Sequence, residues 1–66
     1  MTRKRYVKLL MALGLPRNAA NKDAKGCQRQ GLAYRTELVK MRRFFLWCLV
    51  NGYRVPRNFM EVLPYE

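Results

Sequence analysis

Arg3, Lys4, Arg5, Lys8, Arg17 and Lys22 place six cations in the first 22 residues, with no acid among them. Lysine and arginine at this density suit one kind of chemistry, the neutralisation of phosphates with release of their counterions. Arg3, Lys4 and Arg5 fall where a helix would begin. A cation there opposes the helix macrodipole by about 0.3–1 kcal/mol when exposed. An external anion offsets that cost, because free N–H groups at a helix start bind phosphate. Asn18 and Asn21 stand beside Arg17 and Lys22, and asparagine and arginine are side chains that read adenine and guanine. These eight residues are the candidate nucleic-acid contacts. The plainer reading of the same charges is a solvated face that keeps a small apolar chain soluble.

Catalysis has little to work with. The chain has no histidine and no serine, one aspartate (Asp23) and three scattered glutamates, Glu37, Glu61 and Glu66. Without a nucleophile–base pair, no enzyme is expected. Cys27 and Cys48 cannot fill the four positions of a zinc site on their own, so neither metal nor cofactor is expected. Two cysteines allow one bridge at most, whereas small secreted scaffolds carry several, which points to a reducing cytoplasm. Lys8 interrupts the apolar stretch after the basic start, so no signal peptide is expected. The longest apolar run, Phe44 to Val50, would span roughly 10 Å as a helix, against about 30 Å of bilayer hydrocarbon. It cannot cross a membrane.

Sixty-six residues with a net charge of +10 make one domain at most. Half of the residues are apolar, which excludes a disordered basic tail. Area scaling gives a folded surface of about 4,400 Å², with about 60% of the unfolded surface buried. Stability of a few kcal/mol follows.

Helical periods fill the chain. Thr2 caps a first helix over about 2–13, in which Tyr6, Leu9, Leu10 and Leu13 form a stripe that Val7 and Met11 widen. Gly14 stops it. Pro16 or Asn18 starts a second helix over 17–30, burying the small Ala20, Ala24 and Cys27. A third runs over 32–51 between Gly31 and Gly52, with Tyr34, Leu38, Met41, Phe45, Cys48 and Leu49 in one stripe. Phe44 and Trp47 lie on a second face, so its C-terminal half is apolar most of the way round. Pro56 and Pro64 bracket a short fourth helix, about 57–63, that packs back on this surplus. Pro-Arg-Asn at 16–18 and again at 56–58 reads as one helix-start device used twice. The expected fold is all-α, a small three-helix bundle with a short fourth helix, occupying residues 1–66 as a single domain. The expected core is Leu9, Leu10, Leu13, Leu38, Met41, Phe45 and Leu49, with Tyr6 and Ala24 at its edge.

Leu13-Gly14-Leu15 followed by Asn18-Ala19-Ala20-Asn21-Lys22 resembles the turn and recognition helix of phage repressors of the Cro type. The resemblance implies that Arg17, Asn18, Asn21 and Lys22 read base edges. It departs from that motif at Leu10, where a small residue is usual, and at Asp23, where an apolar one is. Met1-Thr2-Arg3-Lys4-Arg5, then Lys8-Leu9-Leu10-Met11, Gly14 and Arg17-Asn18-Ala19-Ala20-Asn21, resembles a group of short basic proteins of gut bacteria and their phages. The likeness covers the N-terminal half and implies a mobile-element origin, without assigning a site residue.

A small non-enzymatic protein that contacts nucleic acid or a nucleoprotein complex through phosphates is the expected function. The alternative lies at the other end. Phe44 and Trp47, rimmed by Arg42, Arg43 and Arg54, form a candidate protein interface, where aromatics and arginine concentrate binding energy. That face would dimerise the chain or dock on an acidic host protein, as an inhibitor of a defence complex of the anti-CRISPR type. Full burial of Trp47 in the core is the plainer reading of the same residues.

Overall fold

Four helices are laid out in the computed structural model, which describes residues 1–65. Helix α1 spans Arg3–Ala12, α2 Arg17–Arg29, α3 Tyr34–Val50 and the short α4 Phe59–Val62. Among the described residues there is no strand. The all-α bundle expected from periodicity is the fold, and every helix end lies within two residues of its expected position. No described helix is long and apolar enough to cross a membrane.

The ends follow from local chemistry. The Thr2 hydroxyl oxygen accepts the backbone N–H of Arg5 at 3.2 Å, capping α1. At the other end Gly14 takes φ +113°, a conformation that strains any residue with a side chain. This lets the N–H of Leu15 reach back to the Leu10 carbonyl at 3.2 Å and that of Gly14 to Met11 at 3.0 Å. Those two bonds are a Schellman closure. Leu32 on Cys27 (2.9 Å) and Tyr53 on Cys48 (2.8 Å) repeat it after α2 and α3.

The two Pro-Arg-Asn triplets prove to do different work. Pro16 is itself the residue before α2, and Asn18 lies inside the helix, whereas α4 begins only after Asn58. The Asn58 amide donates instead to the Ala12 carbonyl at 2.8 Å. It thereby satisfies one of the carbonyls left open at the end of α1.

Helices α1 and α2 lie side by side and antiparallel. Arg3 at the start of α1 meets Gln28 near the end of α2, and Tyr6 meets Asp23 and Cys27. The small Ala20, Ala24 and Cys27 form the buried side of α2 and let α1 approach. Tyr6, Leu10, Leu13, Leu38, Phe59 and Leu63 complete the central cluster.

Tyr6 is at the centre of this cluster rather than its edge, with 1% of its surface exposed. Its ring stacks on Tyr34 with centroids 4.7 Å apart. Its hydroxyl donates to Asp23 Oδ1 at 2.6 Å, and the Cys27 thiol donates to the same oxygen at 3.6 Å. Burial, reinforced by the bond to Asp23, pushes the phenol well above its ordinary pKa, and burial likewise raises the Cys27 thiol. Tyr6 therefore remains a neutral donor at physiological pH.

Helix α3 keeps its expected stripe except at its C-terminal end: Leu38 and Cys48 are buried and Tyr34, Met41 and Phe45 pack partly on the core, but Leu49 is 51% exposed. Leu9, Met41 and Phe45 are only half-buried against the core. Phe59 and Leu63, from the C-terminal segment, are instead buried in the central cluster. Phe45 meets Phe59 edge-on at 5.6 Å, so the C-terminal segment does fold back on α3.

Two outcomes are expected in urea unfolding. Leu38→Ala should cost about 2–5 kcal/mol, whereas Leu49→Ala should stay within about 0.5 kcal/mol of the parent. Equal losses would contradict the burial of Leu38 and the exposure of Leu49. A second series concerns pH. Because the Tyr6 phenol has a raised pKa when folded, its contribution is complete below the unfolded value near 10 and is lost as pH rises above it. Tyr6→Phe should lower stability by about 1 kcal/mol at neutral pH and reduce the fall in stability between about pH 9 and 11. An unchanged alkaline slope would remove Tyr6 as its cause.

Candidate nucleic-acid interface

Residues three and four apart share a helix face, so Arg3, Lys4, Val7, Lys8 and Met11 line up on the outer side of α1. The Gly14 turn brings the start of α2 against the same side. Together with Arg17 and Asn21, these residues enclose an open groove of about 770 Å³. Val7 and Met11, both half-buried, lie between the polar residues. Arg3, Lys4, Lys8 and Arg17 are exposed around them. No acid stands in the first turn of α1 or α2, and no side chain caps the start of α2. The positive ends of the helices and their cations therefore add rather than cancel.

Five of the eight candidate contacts meet in this groove: Arg3, Lys4, Lys8, Arg17 and Asn21. Arg5 does not. It borders a separate depression of about 420 Å³ with Met1, Leu9, Arg35 and the C-terminal segment. Asn18 and Lys22 are exposed on the neighbouring strip of α2, outside the groove. Two further residues of the groove, Val7 and Met11, are expected in the core stripe from periodicity; Arg3 Nη1 also donates to Gln28 Oε1 at 3.5 Å. The recurrence of Arg3, Val7 and Met11 every four residues was the available signal.

Helices α1 and α2 meet through Tyr6 with Asp23 and Cys27 and through Arg3 with Gln28. Of the four residues at the start of α2 singled out for base reading, Arg17 and Asn21 line the groove with α1, and Asn18 and Lys22 are exposed outside it.

The candidate protein interface is separate and shares no residue with the groove. Phe44 is 60% exposed and Trp47 57%. Arg43 and Arg54 lie exposed beside them. Arg42 departs from the expected rim: it is half-buried, its guanidinium 4.9 Å above the Tyr65 ring. Full burial of Trp47 is thus not what the fold provides.

Among the described residues, no three His, Cys, Asp or Glu side chains come together as a metal-binding group. Cys27 and Cys48 are both buried free thiols. No family model matches the chain, and no curated protein or solved structure matches it significantly.

The first-turn cations yield a test. Lys4→Glu replaces an unfavourable charge at the helix start with a favourable one, so it should raise stability by about 0.3–1 kcal/mol. The same change should weaken binding of polyphosphate. Loss of both stability and binding would mean that Lys4 has a structural role.

Proposed function

We propose that this chain is a small non-enzymatic binding protein that holds nucleic-acid phosphates in the α1–α2 groove, free or within a nucleoprotein complex. The observation that carries this reading is the gathering of Arg3, Lys4, Lys8 and Arg17 around one open groove with no acid on its walls. Asn21 adds a neutral hydrogen-bonding group. Val7 and Met11 give the arginine and lysine stems an apolar surface to lie on. The groove has no aromatic side chain to stack a base, so phosphates rather than bases dominate the contact. Most of the affinity is electrostatic and the preference among sequences is weak. The resemblance of the N-terminal half supports an origin in a phage or other mobile element. The protein would then act in the cytoplasm of the bacterial host.

Fluorescence anisotropy against a duplex oligonucleotide over a range of salt concentrations tests the reading. Engagement of about four phosphates gives a slope near −3.6 for log affinity against log salt, and about −2.8 for a single strand. Lys8→Glu and Arg17→Glu should each lower affinity for all sequences alike, whereas Asn18→Ala should leave it nearly unchanged. Salt-independent binding, or none at low salt, would overturn the proposal.

A further inference from the structure

Beyond the groove, α3 carries an apolar face that the described residues leave largely exposed. Phe44, Trp47 and Val50 follow one another at three-residue spacing, and Val50 is 83% exposed. Tyr53, beyond the helix end, stacks on Trp47 with centroids 5.8 Å apart and extends the face.

Charge indicates what covers it. From Glu37 to Arg57 the sequence has five cations and one acid. Glu37 pairs with Lys40 at 3.3 Å and Arg42 is turned onto Tyr65, while Arg43, Arg54 and Arg57 are exposed, so this segment stays strongly positive. A second copy would bring the same cations together on two chains of +10 each, which repel. A nucleic-acid strand would stack bases on aromatic rings. Here, however, Trp47 and Tyr53 cover each other's inner faces, and the most exposed residue is aliphatic. A stripe of side chains at three-residue spacing on one helix suits packing against another helix. We infer that the Phe44–Trp47–Val50–Tyr53 face docks another protein through an amphipathic helix whose apolar stripe is flanked by carboxylates. The groove and this face would then engage two different ligands.

Trp47 is the one tryptophan of the chain, so its emission reports burial of the face. The probe is a synthetic helix of about 18 residues, five turns, with a leucine stripe flanked by glutamates. The full chain should bind it saturably, with a blue shift of Trp47 emission. Affinity should fall about tenfold or more when lysines replace the glutamates. Val50→Asp and Phe44→Ala should lose binding while keeping the parent circular dichroism, and Lys8→Glu should bind as the parent does. Equal binding of both helices, or no shift, would overturn the inference. So would a shift produced instead by anionic phospholipid vesicles, by an oligonucleotide, or by dimerisation seen in sedimentation.

Discussion

The hydroxyl of Tyr6, donated to Asp23 inside a bundle of only 66 residues, is the contact on which the rest of the arrangement depends. It joins α1 to α2 seventeen residues away, while the other side of the ring is stacked on Tyr34 at the start of α3. One side chain thus fixes three helices. A buried phenol without a partner would cost about 1–3 kcal/mol, a large share of the stability available to so small a domain. The pairing with Asp23 removes that cost and also selects the register, because sliding α2 by one turn would carry the carboxylate away. The raised pKa of the phenol is the electrostatic expression of the same burial.

With the α1–α2 register set, the surface charge follows. The side of α1 away from Tyr6 and Leu10 has to face water, and that is where the sequence places Lys4 and Lys8, with Arg3 at the edge toward α2. The small inner side of α2, built from Ala20, Ala24 and Cys27, brings the helices close enough for Arg17 and Asn21 to join them. The repulsion among these cations and their conflict with the helix dipoles are tolerated locally, while the core supplies the stability. A groove optimised for folding alone would carry acids at both helix starts; this one carries none.

Much of the fold was legible in the sequence because its signals are local. Three-to-four-residue periodicity and the glycines at 14, 31 and 52 mark the helices and their stops. The depth of burial along α3 was less so. Its C-terminal half is apolar on every side, so the pattern 44–50 does not say that Leu49 is left exposed while Phe59 and Leu63, from a distant segment, join the central cluster. The central place of Tyr6 was hidden for the same reason: its partner Asp23 lies on another helix, and an isolated tyrosine reads as an edge residue. For the candidate site, residue types identified the cations but not their grouping. The i, i+4 geometry collects Arg3, Lys4, Lys8, Arg17 and Asn21 and leaves Arg5, Asn18 and Lys22 outside. Exposure of Phe44 and Trp47 followed from having more apolar surface than the short α4 can cover.

The central claim is that the groove, and not the charge of the chain at large, receives phosphate. Titration of the isotopically labelled protein with a duplex oligonucleotide at low salt, followed through its backbone amide resonances, tests this residue by residue. The account predicts perturbations concentrated in residues 3–11 of α1 and in the first turns of α2 around Arg17 and Asn21, with Phe44 to Tyr53 unmoved. Shifts spread evenly over all the basic residues, or centred on α3, would contradict it.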